Sequence, residues 1–157
     1  LPLLEPCLAH EDPRVRREAV TALACIGQAP SGPLVVPLLT DDDADVRAAA
    51  AQCLGTLVHA SAAPALRDLL ATEDNEVVLV EVLRALGRLG DAEAVDGIRH
   101  RALPSFFVRP GRPVRIAGLR ALGRIGTPEA VALLEAGAED RDPDLRAVAQ
   151  QALEDVG

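Results

Sequence analysis

Residues 111–126, GRPVRIAGLRALGRIG, decide the fold. Val114, Leu119, Leu122 and Ile125 recur at the spacing of one helix face, and Gly126 supplies a stop signal. Four other stretches lie over it: DPRVRREAVTALACIG from Asp12, DADVRAAAAQCLGTLV from Asp43, NEVVLVEVLRALGRLG from Asn75 and DPDLRAVAQQALEDVG from Asp142. Their starts are 31, 32, 36 and 31 residues apart. Each is preceded by a shorter apolar stretch, at 1–9, 33–39, 62–71, 92–102 and 128–138. Asp12-Pro13, Thr127-Pro128 and Asp142-Pro143 each join an N-cap acceptor to a proline suited to the first helical position. The unit is helix–turn–helix, repeated five times, with Leu23, Leu54, Leu86, Leu122 and Leu153 predicted in equivalent core positions.

Such a unit cannot bury its apolar stripe alone, whereas stacking units makes one continuous core. The expected fold is therefore all-α, an α-solenoid occupying 1–157 as a single domain. Its repeats run about 1–27, 28–58, 59–90, 91–126 and 127–157. Small residues at aligned positions (Ala50, Ala121 and Ala149; Gly55, Gly87 and Gly123) let neighbouring helices approach closely. The first and fifth repeats read as uncapped, so the segment is expected to belong to a longer protein.

Composition narrows the function classes. Apolar residues form 49% of the 157, enough for a core, while Phe106 and Phe107 are the only aromatics and Trp, Tyr, Met and Lys are absent. No apolar run approaches the ~20 residues of a membrane span. Cys7, Cys25 and Cys53 form no CxxC and cannot all pair, which fits a reducing cytoplasm.

The ~31-residue period and the D-x-x-[VL]-R opening resemble the bacterial HEAT-like repeats of phycobilisome-lyase type. Asp12/Val15/Arg16, Asp43/Val46/Arg47, Val114/Arg115 and Asp142/Leu145/Arg146 carry the resemblance, with the trailing A-L-G-R-[LI]-G. It covers essentially the whole chain. It implies the solenoid, and an inter-repeat ladder of Asp12, Asp43 and Asp142 with Arg16, Arg47, Arg115 and Arg146. Asn75, Leu79 and Gly111 depart from the pattern, so the ladder should break between repeats 3 and 4, with Asp74 available as a substitute partner for Arg115. The resemblance implies a protein-binding scaffold, a lyase subunit or a nucleic-acid protein.

Two irregularities gather at that junction. LPSFFVRPGRP, residues 103–113, lengthens the turn by about five residues and carries Arg109, Arg112 and both phenylalanines. Insertions in solenoids emerge on one face, often the binding face. Phe106 and Phe107 either fold back to fill the widened junction or offer an apolar anchor to a partner. The net charge of −8 is also uneven. Residues 84–124 hold nine Arg and three acids, whereas residues 1–83 and 125–157 are both acidic. Arg84/Arg88 and Arg120/Arg124 are i,i+4 pairs at equivalent positions of adjacent second helices, so stacking should gather them. Arginine suits bidentate contact with carboxylate or phosphate.

Catalytic signals are weak. His10, His59 and His100 fall in different repeats, Cys7-x-x-His10 offers two ligands rather than a metal set, and no GxSxG or P-loop occurs. No catalytic residue, metal or cofactor is assigned. The reading is a non-enzymatic, cytoplasmic adaptor whose protein partner presents an acidic or phosphorylated segment to repeats 3–4, away from any membrane. The alternative is a bilin-lyase-like chaperone or enzyme subunit. Nucleic acid ranks third, because acidic flanks and the absence of Trp and Tyr deny it a continuous basic stripe or a stacking platform.

Overall fold

The computed structural model describes residues 3–27, 31–105 and 109–156. Ten α-helices and no strand occur among them. The order is α1 (Glu5–Leu8), α2 (Pro13–Ile26), α3 (Gly32–Val35), α4 (Ala44–Thr56) and α5 (Ala63–Thr72). It continues with α6 (Glu76–Leu89), α7 (Val95–Ala102), α8 (Arg112–Ile125), α9 (Pro128–Gly137) and α10 (Pro143–Val156). Odd-numbered helices are the first of each pair and even-numbered helices the second. All five predicted repeats are present as pairs.

The first helices are less regular than the sequence suggests. Helix α3 gives way at Val36 to a 3-10 turn, Val36–Thr40. Pro37 sits there, and its ring nitrogen has no hydrogen to extend an α-helical ladder. Single 3-10 turns at Ala60–Ala62 and Ala92–Ala94 lead into α5 and α7. The second helices have defined ends. Asp12, Asp43 and Asn75 cap α2, α4 and α6 with side-chain oxygens, and Asp142 accepts from the Asp144 N–H at 2.9 Å. Gly27, Gly90 and Gly126 end α2, α6 and α8 in the left-handed conformation. In repeat 2 that place belongs to Val58, a β-branched residue at φ 49°.

Second helices pack on their neighbours through small residues. A Cβ added to Gly55 would come within 2.8 Å of Ala85 Cα, one on Gly87 within 2.8 Å of Ala121 Cα, and one on Gly123 within 2.8 Å of Ala152 Cβ. Any side chain there would push helices apart, so glycine sets the repeat spacing. Leu23, Leu54, Leu86 and Leu122 are fully buried in the shared core. Leu153 is only partly buried, because no described helix covers the far side of α10. That side also carries exposed Gln150 and Glu154, aligned with buried Leu83 and Gly87 in α6 and with buried Leu119 and half-buried Gly123 in α8.

Candidate functional site

Two sets of arginines project from the second helices, and they do different work. Arg16, Arg47, Arg115 and Arg146 lie on the first turn, beside the inter-helix turns. Arg16 grips Asp41 of the next repeat with Nε at 2.8 Å and Nη2 at 2.7 Å, and gives Nη1 to the His10 and Glu11 carbonyls. Arg47 does the same with Glu73, at 2.7 and 3.2 Å, and with the Asp41 and Asp42 carbonyls. Arg115 pairs with Asp140, and its buried Nε has no partner among the described residues. Arg146 holds the Asp140 and Arg141 carbonyls.

The expected rungs Asp12, Asp43 and Asp142 are therefore corrected. They cap helices, and the carboxylates that Arg16, Arg47 and Arg115 grip stand two residues earlier, at Asp41, Glu73 and Asp140. Among the described residues Asp142 alone of the three caps also reaches back across its junction, to Arg112 rather than to a ladder arginine. An N-cap side chain is engaged by its own helix's free N–H groups, which leaves the residue two before it to meet the ladder arginine. The earlier residue faces the previous helix and also accepts the cap residue's own N–H: Asp43 to Asp41 at 2.9 Å, Asn75 to Glu73 at 2.9 Å, Asp142 to Asp140 at 2.9 Å. Burial opposes ionisation of Asp41 and Glu73, yet the facing guanidinium and backbone N–H outweigh it and hold both below the usual carboxylate range. For Asp140 the Asp142 N–H contributes most, ahead of Arg115. In the sequence a carboxylate precedes the cap by two in repeats 2, 3 and 5, a recurrence that does not by itself say what it faces.

Between repeats 3 and 4 the pattern stops, since buried Leu79 replaces the arginine and Arg109 replaces the carboxylate. Asp74 does not serve Arg115. It pairs with Arg101, from the end of α7, which also donates to the Glu73 carbonyl. An arginine from the following repeat thus holds a turn that repeats 1, 2 and 5 hold with their own.

The second set lines a groove of about 490 Å³ between α6 and α8. Arg84 and Arg88 come from α6, Arg112, Arg120 and Arg124 from α8, with Val80, Pro113, Ile116, Ala117 and Ala121 as apolar lining. Arg84 bonds to Glu81 at 2.6 Å and Arg88 to the Thr56 hydroxyl at 3.0 Å. Arg112 is tied to Asp142 and Asp144, and Asp144 borders the groove at that end. Exposed Arg109, Arg120 and Arg124 bond to no described residue. Phe106 and Phe107 lie outside the described residues.

Two helix layers, turn caps and close-packed second helices in five stacked pairs agree with the family comparison. HEAT-repeat models match residues 32–109 and 103–154, and a further one matches 1–29. The chain belongs to the HEAT-repeat family. Among solved structures of similar fold, an engineered protein is 25% identical with TM-score 0.71, over 98% of this chain and 78% of that one. A chain of the CpcE–CpcF complex of phycocyanin lyase from Nostoc sp. is 28% identical with TM-score 0.69, over 96% of this chain and 62% of its own. Human deoxyhypusine hydroxylase, at 17% identity and TM-score 0.51 over 99% of this chain and 83% of that one, shares the fold. No curated protein of comparable sequence matches.

These HEAT repeats gather no group of three His, Cys, Asp or Glu side chains able to hold a metal, among the described residues. None of their described helices is long and apolar enough to cross a membrane. Burial pushes the Cys53 thiol up to about 11, with Cys25 adding to the effect, which leaves Cys53 a poor nucleophile at neutral pH.

Proposed function

We propose that this HEAT-repeat segment is a non-enzymatic scaffold in the cytoplasm that binds another protein through the groove of repeats 3–4. The observation that carries the reading is the groove itself. Five arginines border an apolar trough in a chain that has 24 acidic residues against 16 basic ones. Charged rims steer and orient a partner, and the apolar lining holds it. The lyase neighbour is itself one chain of a two-protein complex, which supports a protein as the partner. Phe106 and Phe107 are proposed as an apolar anchor for that partner.

A photo-crosslinking residue at Ile116 tests this directly. It should capture a protein from native lysate, and the Arg84/Arg88/Arg120/Arg124→Glu variant should lose the capture while keeping its helical circular dichroism. Undiminished capture by that variant, or no capture at Ile116 while the same crosslinking residue placed in repeats 1–2 or 5 captures a protein, refutes the reading. The likeness to a phycocyanin lyase chain favours one second reading, a bilin-lyase-like chaperone. Incubation with a bilin, followed by absorption spectra and transfer to an acceptor protein, separates the two.

A further inference from the structure

We infer that the groove's occupant is a phosphorylated protein segment, with its phosphomonoester held by Arg88, Arg120 and Arg124. The inference rests on the groove being the protein-binding surface and specifies what it recognises. Ten of the sixteen arginines form ion pairs with a carboxylate. Six do not, among the described residues, and three of those six line this one groove. Acidic side chains outnumber arginines in the chain, so a cluster of unpaired guanidinium groups is not enforced by a shortage of partners.

The fold brings the three together. Gly87 meets Ala121 at the closest approach of α6 and α8, and Arg88 and Arg120 are their immediate chain neighbours. Arg124 lies one turn beyond Arg120. Helix axes are separated by about 8–10 Å at such a contact and i,i+4 residues by about 6 Å, a span across which three long side chains can close on one anion, Arg88 giving up the Thr56 hydroxyl of α4 to do so. Arg88 is steadied only by the neutral Thr56 hydroxyl. Arg88 and Arg124 also occupy the last turns of their helices, where the dipole favours cations. The nearby carboxylates are engaged elsewhere. Glu81 holds Arg84, Asp144 holds Arg112, and Asp155, across the next depression from Arg120 and Arg124, accepts from Gln151 at 3.1 Å.

A carboxylate matches one guanidinium fork with its two oxygens. Three guanidiniums lining one groove match an anion of nearly two charges and three acceptor oxygens, which describes a phosphoserine or phosphothreonine. Val80, Ile116 and Ala117 beside them would take apolar side chains flanking the phosphorylated residue, and that is what a phosphate alone would leave unused.

The test uses three immobilised degenerate peptide pools that differ only at the central residue: phosphoserine, serine or glutamate. The phosphoserine pool should retain the protein at least ten-fold better than the serine pool, with the glutamate pool within a few-fold of serine. Arg120→Glu/Arg124→Glu should abolish the preference while keeping native circular dichroism. Arg141→Glu, an exposed and unpaired arginine outside the groove, should preserve it. Equal retention by glutamate and phosphoserine pools overturns this inference but leaves an acid-binding protein surface standing. Retention by neither pool, or tighter binding of a single-stranded oligonucleotide than of the phosphoserine pool, also overturns it. The Ile116 crosslink then judges the protein-binding reading separately.

Discussion

Glu73→Ala is the sharpest probe of how the repeats are joined. The Glu73 side chain is 6% exposed and accepts from Arg47 Nε and Nη2 and from the backbone N–H groups of Asp74 and Asn75. Truncation removes a bidentate ion pair between repeats 2 and 3 and leaves two turn N–H groups without an acceptor. Breaking one side of a buried pair costs 3–5 kcal/mol. Arg47 is 18% exposed and keeps two carbonyl acceptors, so its charge is not stranded and the lower end applies, about 3 kcal/mol. At about 2–4 °C per kcal/mol for a chain of this size, Tm should fall by roughly 6–12 °C. Glu73→Gln retains an acceptor for the backbone and should cost about half as much. Urea unfolding followed by circular dichroism at pH 7 measures all three proteins. Repeating it in 0.5 M NaCl should hardly change the difference, because the pair is shielded from solvent ions. The exposed neighbours Arg17 and Glu18 provide the contrast, and Arg17→Ala should stay within about 0.5 kcal/mol. If Glu73→Ala costs no more than Arg17→Ala, the inter-repeat pairs do not join the repeats and the argument fails.

Acid should expose the same groups. Asp41, Glu73 and Asp140 are held below their ordinary values of 3.8, 4.5 and 3.8 in the native state. Their stabilisation is therefore complete above the unfolded-state values and is lost as pH falls through the lower native ones. A stability–pH curve should drop below about pH 4.5, and Asp140→Asn should make that limb shallower; an unchanged limb contradicts the assignment. Val58→Gly should stabilise by about 1 kcal/mol, since Val58 is 59% exposed and sits at φ 49°, a conformation that costs L-residues 1–2 kcal/mol; a lower urea midpoint would count against it. Leu122→Ala should cost about 2–5 kcal/mol by opening a cavity in the core, read from the same titration. Arg101→Ala should destabilise more than Arg99→Ala, whose arginine pairs only with exposed Asp96; equal effects would show that Arg101 does not stand in for the arginine that Leu79 replaces.

The groove was half legible. The i,i+4 arginine pairs on aligned helices announced a shared face, because side chains at that spacing must share one. What they could not announce is which arginines remain unpaired. Arg112 was counted with the contact set, yet it reaches across to Asp142 and Asp144 of the next repeat. The apolar lining was missed: Val80 and Ile116 received no reading from periodicity, and both stand partly open in the groove between α6 and α8.

The repeat period, the caps and the glycine contacts were determined by the sequence itself. Each is a short-range consequence of local chemistry: helical spacing, an oxygen for a free N–H, a missing Cβ where helices touch. Those causes act within one repeat and recur in the next, so a single chain displays them several times over. The partners of the ladder arginines were decided by the tertiary structure alone. Which of two neighbouring acids, Asp41 or Asp43, faces Arg16 depends on how one repeat is rotated against another, and that rotation is set by the packing of whole helices. Arg101 shows the same dependence, since a side chain 28 residues from Glu73 can take up its carbonyl only once α7 has been laid beside the turn before α6.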